Sequence, residues 1–188
     1  MMRNILLLAL LSLGISFSLV TSAAPVQLDP ATAKTSFVAI GKPAMLRIHG
    51  ESEGITSNLD ADKKLISGTL TVHLESFKTG IETRDEHMKE KYLEITKYPD
   101  AVLTIKDVSV GDLKPGAKKD MSFKAKLALH GASKDVDVKA NVEALAGGIY
   151  KVHATSNITL SEFKIDIPTY AGIKVADSVE FEVNFQTK

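Results

Sequence analysis

The chain has 188 residues, 23 Lys and Arg against 23 Asp and Glu, 44% hydrophobic residues, and neither cysteine nor tryptophan, a profile that fits one globular domain. Zero net charge without a basic block gives no electrostatic footprint for nucleic acid. A cysteine-free chain holds no disulfide, thiolate metal site, iron–sulfur cluster or cysteine nucleophile.

At the N-terminus, Met1-Met2-Arg3-Asn4 is a short basic start and Ile5 to Val20 is uncharged and apolar, followed by the small residues Thr21-Ser22-Ala23-Ala24. That is the order of a secretory signal peptide, with Thr21 and Ala23 in the small-residue positions before a cut. The expected division is residues 1–23, a signal peptide cleaved after Ala23, and residues 24–188, one mature domain. The apolar stretch is rich in Ser and Gly and is short for a bilayer-spanning helix, which needs roughly twenty residues. A soluble exported protein is expected, periplasmic or alternatively secreted. Loss of Arg3 leaves the mature chain with acidic residues one in excess.

From there the strands come in sequence. Ser36 to Ile40 and Ala44 to Gly50 are short strand signals, and Asp60-Ala61-Asp62-Lys63 reads as a turn. Ile66, Leu70, Val72 and Leu74 alternate with Thr69, Thr71, His73 and Glu75, the period of a strand with one buried and one wet face. Thr83-Arg84-Asp85-Glu86 fits a capping box, which predicts a short helix with Met88 and Tyr92 on its apolar face, Ile95 near it, and Lys89, Glu90 and Lys91 in water. The helix should end before Tyr98-Pro99. Ala101 to Val110 is a strand whose alternation shifts at Lys106-Asp107, the mark of a bulge, and residues 114–119 make a turn.

Phe123, Ala125, Leu127 and Leu129 then alternate with Lys124, Lys126 and His130, and Val136, Val138, Ala140 and Val142 with Asp135, Asp137, Lys139 and Asn141. The Gly131-Ala132-Ser133-Lys134 stretch between them predicts a hairpin. After a turn at Gly147-Gly148, Tyr150, Val152, Ala154, Ile158 and Leu160 share a face, and Val179, Phe181, Val183 and Phe185 form the last strand.

About eight amphipathic strands joined by local turns specify an all-β fold with antiparallel pairing. They can form a sandwich or a barrel, and one short helix suits a barrel by plugging an end. An eight-stranded barrel has an interior that side chains fill or that holds one small apolar ligand. Ala125, Ala140, Ala154 and Ser156 on the inward faces leave room, while Phe123, Phe181 and Phe185 could occupy it, so both outcomes stay open here.

Catalytic chemistry finds little footing. His73, His130 and His153 sit out of phase with the inward residues of their strands, and His49 alternates with Leu46 and Ile48, which predicts all four on the outer face. No zinc-binding His-Glu-x-x-His, nucleophile elbow or phosphate-binding glycine loop is present. Glu86, His87 and Glu90 have metal-ligand spacing, but a solvated helix face accounts for them. No enzyme, cofactor or metal is expected.

The run Thr79-Gly80, Thr83-Arg84-Asp85-Glu86-His87-Met88, Tyr92-Leu93 and Lys97-Tyr98-Pro99 resembles the Thr-Gly, Arg-Asp-x-His-Leu and Tyr-Pro signature of the YceI-like family of bacterial proteins. Leu129 to Val136, Phe163-Lys164-Ile165-Asp166-Ile167-Pro168 and Val175-Ala176-Asp177-Ser178-Val179 resemble its Leu-x-x-Gly-x-[Ser/Thr]-Lys-x-Val hairpin and its C-terminal motifs. The resemblance runs from about Leu28 to the C-terminus. Met88 stands where Leu is usual, and Ile165-Asp166-Ile167 replaces a Gly-containing stretch. Arg84 and Asp85 match the signature and are read as tying the helix start to nearby backbone.

The resemblance implies a lipocalin-like antiparallel β-barrel whose interior holds a long apolar molecule, such as a polyisoprenoid, an isoprenoid quinone, a diphosphate of such a chain or a fatty amide. With the alternation, this gives the candidate lining as Leu70, Val72, Leu74, Phe123, Ala125, Leu127, Leu129, Val138, Ala140, Val152, Ala154, Ile158, Phe181 and Phe185. The expected partner is an apolar long-chain ligand, a bound lipid and not a cofactor. Transient membrane contact is compatible with this, as is a monomer or a homodimer. The rival expectation is a filled barrel acting through its outer surface in stress response or adhesion.

Overall fold

The computed structural model describes residues 24–42, 46–62, 64–170 and 172–188. The signal-peptide expectation for residues 1–23, and the Ala44-Met45 start of one expected strand, lie outside them. The architecture is one antiparallel sheet curled into a half-barrel. Its strands are β1 (Ala24–Val26), β2 (Lys34–Lys42), β3 (Leu46–Ser52), β4 (Ile55–Asp62), β5 (Leu65–His73), β6 (Asp100–Ser109), β7 (Lys118–Leu129), β8 (Ala132–Ala144), β9 (Tyr150–Thr159), β10 (Thr169–Tyr170) and β11 (Ile173–Gln186). The hydrogen-bonded order is β1-β4-β5-β6-β7-β8-β9-β11-β2-β3, with β10 beside β11. The expected strands are all present. The sequence reading lacked β4, β1 and β10, and Asp60 to Asp62, expected as a turn, belong to β4, which pairs with β5 as far as Asp62–Leu65.

The expected bulge is there. Between Ile66–Val108 and Gly68–Ile105 the register advances two residues on β5 and three on β6. Asp107 takes φ 51°, and its amide donates to Ser67 Oγ at 2.8 Å. The β7–β8 turn is shorter than expected: Leu129 pairs with Ala132, so His130-Gly131 alone makes the turn, at φ 49° and 71°. Positive φ at both central residues is the geometry whose twist matches antiparallel strands, and glycine takes it without steric cost.

Two expectations about the helical segment are corrected. Helix α1 (Glu82–Glu86) starts one residue before Thr83, and Ile81 precedes it with no side-chain cap. Asp85 instead accepts from the Thr79 amide at 2.8 Å and from its hydroxyl, while Arg84 donates from Nε to Thr79 Oγ1 at 2.7 Å and from a terminal nitrogen to Thr79 O at 2.6 Å. These contacts pin the turn before the helix, as read for Arg84 and Asp85. A π-helical turn (His87–Tyr92) follows. Its wider turn re-aims side chains, so Lys89, expected in water, is only 16% exposed and lies 3.4 Å from Glu75. Met88, Tyr92, Leu93 and Ile95 pack on the core.

Candidate functional site

The inward faces behave differently at the two ends. The helical segment leaves from the end of β5 and returns at the start of β6, and at that end the interior is full. Phe37, Phe77 and Phe181 pack with ring centroids 5.4 to 6.2 Å apart, with Leu74, Phe77 and Phe163 almost wholly buried. Toward the opposite end, where β5 begins and β6 finishes, the walls enclose a cavity of about 470 Å³, within the usual range for small-molecule sites of roughly 300–1,000 Å³.

Below its rim the cavity is apolar. β4 supplies Leu59 and Ala61, β5 Ile66 and Leu70, β6 Leu103, Ile105 and Val108, and β7 Met121 and Phe123. β8 gives Val138, Ala140 and Val142, β9 Val152 and Ala154, and β11 Val183 and Phe185. Polar groups gather at the mouth: Lys64, Asp112, Lys114, Tyr150, Thr187 and Lys188. Ala140 and Ala154 are direct cross-strand partners, so two small side chains meet on one wall, and that leaves space.

Of the fourteen candidate lining residues, Leu70, Phe123, Val138, Ala140, Val152, Ala154 and Phe185 stand on the cavity wall. Val72, Leu74, Ala125, Leu127, Leu129, Ile158 and Phe181 do not. They point inward, but into the packed half, among the core side chains. Alternation tells which face a residue occupies and is silent on how far along the barrel the filling extends. Ile66, Val142 and Val183 share the inward faces of strands read from sequence and were signalled by that period. Leu59 and Ala61 needed β4.

His49, His73 and His153 are about half exposed. His130 corrects the expectation: it is buried, with Nδ1 3.2 Å from the Phe163 carbonyl, Nε2 3.0 Å from Glu94 Oε2 and its ring 4.8 Å from that of Tyr98. It belongs to the turn, where alternation no longer applies. Glu94 is held below the usual carboxylate range chiefly by the hydrogen bond from Lys97, with His130 adding to it. Among the described residues no group of three His, Asp or Glu side chains is arranged to hold a metal ion, and no helix is long and apolar enough to cross a membrane.

The YceI-like domain pattern matches residues 27–187. The chain belongs to the YceI-like family. Solved structures share this architecture. A polyisoprenoid binding domain from Saccharophagus degradans is 18% identical, with 89% of this chain and 99% of that one covered and a TM-score of 0.70. Burkholderia cenocepacia BcnA is 20% identical over 86% and 99% of the two chains, with a TM-score of 0.67. A Campylobacter jejuni YCEI protein is 22% identical over 74% and 86%, with a TM-score of 0.51. No curated protein matches the sequence.

Proposed function

We propose that this YceI-like protein is an exported carrier that holds one long apolar molecule, a polyisoprenoid, isoprenoid quinone or fatty amide, in its half-barrel without transforming it. The observation that carries this reading is the cavity of about 470 Å³ whose walls, among the described residues, are apolar side chains of the strands, with the polar lining residues on loops and strand ends. Burial of a chain there is worth about 25 cal/mol per Å² of apolar surface removed from water, a driving force that needs no catalytic group. The resemblance in fold to a domain described as polyisoprenoid binding supports the same class. A filled barrel working only through its outer surface has no use for such a space.

Export rests on the basic, apolar and small-residue order of residues 1–23, and with it a periplasmic location. The protein acts as a monomer or homodimer that touches a membrane transiently to load or unload. The test is organic extraction of protein recovered from the exported fraction, followed by mass spectrometry and N-terminal sequencing. A long-chain apolar lipid on a chain beginning at Ala24 is expected. A lipid-free protein that takes up no long-chain lipid when offered one would end the carrier reading.

A further inference from the structure

The connection between β6 and β7 borders the mouth of the cavity: its residues Gly111, Asp112, Leu113 and Lys114 are part of the cavity wall. This loop is anchored at both ends. At the first, the Val110 amide donates to Lys64 O at 3.0 Å; at the second, Gly116 donates to Ala144 O at 2.8 Å, and Ala144 donates to Ala117 O at 2.9 Å. Between the anchors, among the described residues, the Asp112 carboxylate meets the Lys64 ammonium, with side chains 78% and 52% exposed, and Leu113 is half-buried on the cavity wall. Exposed pairs of this kind contribute little to stability. Gly111 and Gly116, one at each end of the loop, stand at φ 69° and 85°.

Beneath the loop the barrel wall is parted. β6 and β7 are paired at only three positions, Val102–Ala128, Leu103–Leu127 and Thr104–Lys126, although the strands have 10 and 12 residues. Above Thr104 the bulge at Lys106-Asp107 turns β6 aside, as bulges do. Ile105 and Val108 on one side of the gap and Met121 and Phe123 on the other all face the cavity. Lys119 spans the gap near its top, donating from Nζ to the carbonyls of Ser109 and Val110, both at 3.2 Å.

We propose that the loop from Gly111 to Gly116 is a lid and the parted halves of β6 and β7 are the slot beneath it, through which a long apolar chain enters and leaves sideways. The lid swings on Gly111 and Gly116, Lys64–Asp112 is its latch, and Lys119 straps the slot. Opening breaks no rung of the β6–β7 ladder, because that ladder ends below the slot. It exchanges one exposed ion pair, two lysine contacts and the half-buried Leu113 side chain for water. This rests on the carrier reading and adds the route to it.

Because the chain has no cysteine, a Lys64→Cys/Asp112→Cys variant carries a unique thiol pair, which a short bis-methanethiosulfonate reagent bridges and a reductant releases. Exchange of the fluorescent long-chain probe cis-parinaric acid is followed by stopped flow in wild type, the bridged variant, the unbridged variant and Lys119→Met. Bridging should slow association and dissociation together at least tenfold, with full recovery on reduction. The unbridged variant and Lys119→Met should exchange severalfold faster than wild type. Bridged protein that exchanges as fast as unbridged, or rates unchanged in Lys119→Met, would overturn the lid while leaving the carrier reading intact. If wild type binds no parinaric acid at any concentration, the carrier reading fails, and the lid with it.

Discussion

Enlarging one inward alanine at a time separates ligand space from packed core. Ala140 and Ala154 stand on the cavity wall, whereas Ala125, on the neighbouring β7, is 4% exposed and absent from that wall, paired with the buried Val136. A phenylalanine at Ala140 or Ala154 projects into the void. An aromatic ring covers roughly 150 Å², which at ~25 cal/mol per Å² is about 4 kcal/mol of apolar contact denied to a bound chain. That corresponds to two to three powers of ten in affinity, at about 1.4 kcal/mol for each. The same ring at position 125 has no void to enter and should overpack the core at about 1 to 3 kcal/mol, lowering the melting temperature by roughly 2 to 12 °C for a domain of this size. The assay is thermal unfolding of delipidated protein beside parinaric acid titration, for Ala140→Phe, Ala154→Phe and Ala125→Phe. The expected result is affinity lost with stability held for the first two, and stability lost for the third. A clear fall in melting temperature for all three, with binding unchanged at positions 140 and 154, would refute the placement of the ligand.

The remaining predictions use single groups. Ser156 Oγ is buried without a hydrogen-bond partner, so Ser156→Ala should raise the urea unfolding free energy by about 1 kcal/mol; a loss of stability would mean that the hydroxyl is satisfied. His130→Gln should destabilise by about 1 to 3 kcal/mol by stranding the carbonyl of the buried Phe163, whereas Gln at His49, His73 or His153 should stay within about 0.5 kcal/mol, and equal effects at all four would contradict the burial difference. Asp177 is held below the usual carboxylate range, first by the hydroxyl and then by the amide of Ser161. A pKa lowered on folding contributes stability above the unfolded value and loses it as pH falls toward the folded one, so Asp177→Asn should flatten the acid limb of the stability profile. An unchanged acid limb in that variant would show that the Ser161 contacts do not persist in solution.

Much of the fold was legible because amphipathic strands state their inward face by alternation, and the shift at Lys106-Asp107 even marked the bulge. β4 was not legible because Thr56, Asn58, Asp60 and Asp62 give it a polar outer face and Ser57 and Ala61 a weak inner one, so its period two carries little hydrophobic contrast. His130 and Lys89 were misplaced for related reasons: the period of a regular element was extended past its end, one residue into a tight turn for His130 and three residues into a π-turn for Lys89. The cavity itself was half legible. Sequence alternation named its walls at Ala140, Ala154 and Phe123, but the Phe37–Phe77–Phe181 cluster that fills the other end joins residues from β2, β11 and the loop after β5. Their meeting is a property of the curled sheet and not of any one segment.

The central claim is that a long apolar chain lies inside this half-barrel at the end away from the helical segment. It is tested most directly by loading the protein with a long-chain lipid carrying a terminal diazirine, irradiating, and locating the adducts by peptide sequencing. The account predicts label on inward residues of the cavity wall, Met121 and Phe123, Val138 and Ala140, and Val152 and Ala154, with none on their outward neighbours Lys124, Lys139 and His153. Label on the outward set, or spread evenly over both faces, would contradict it.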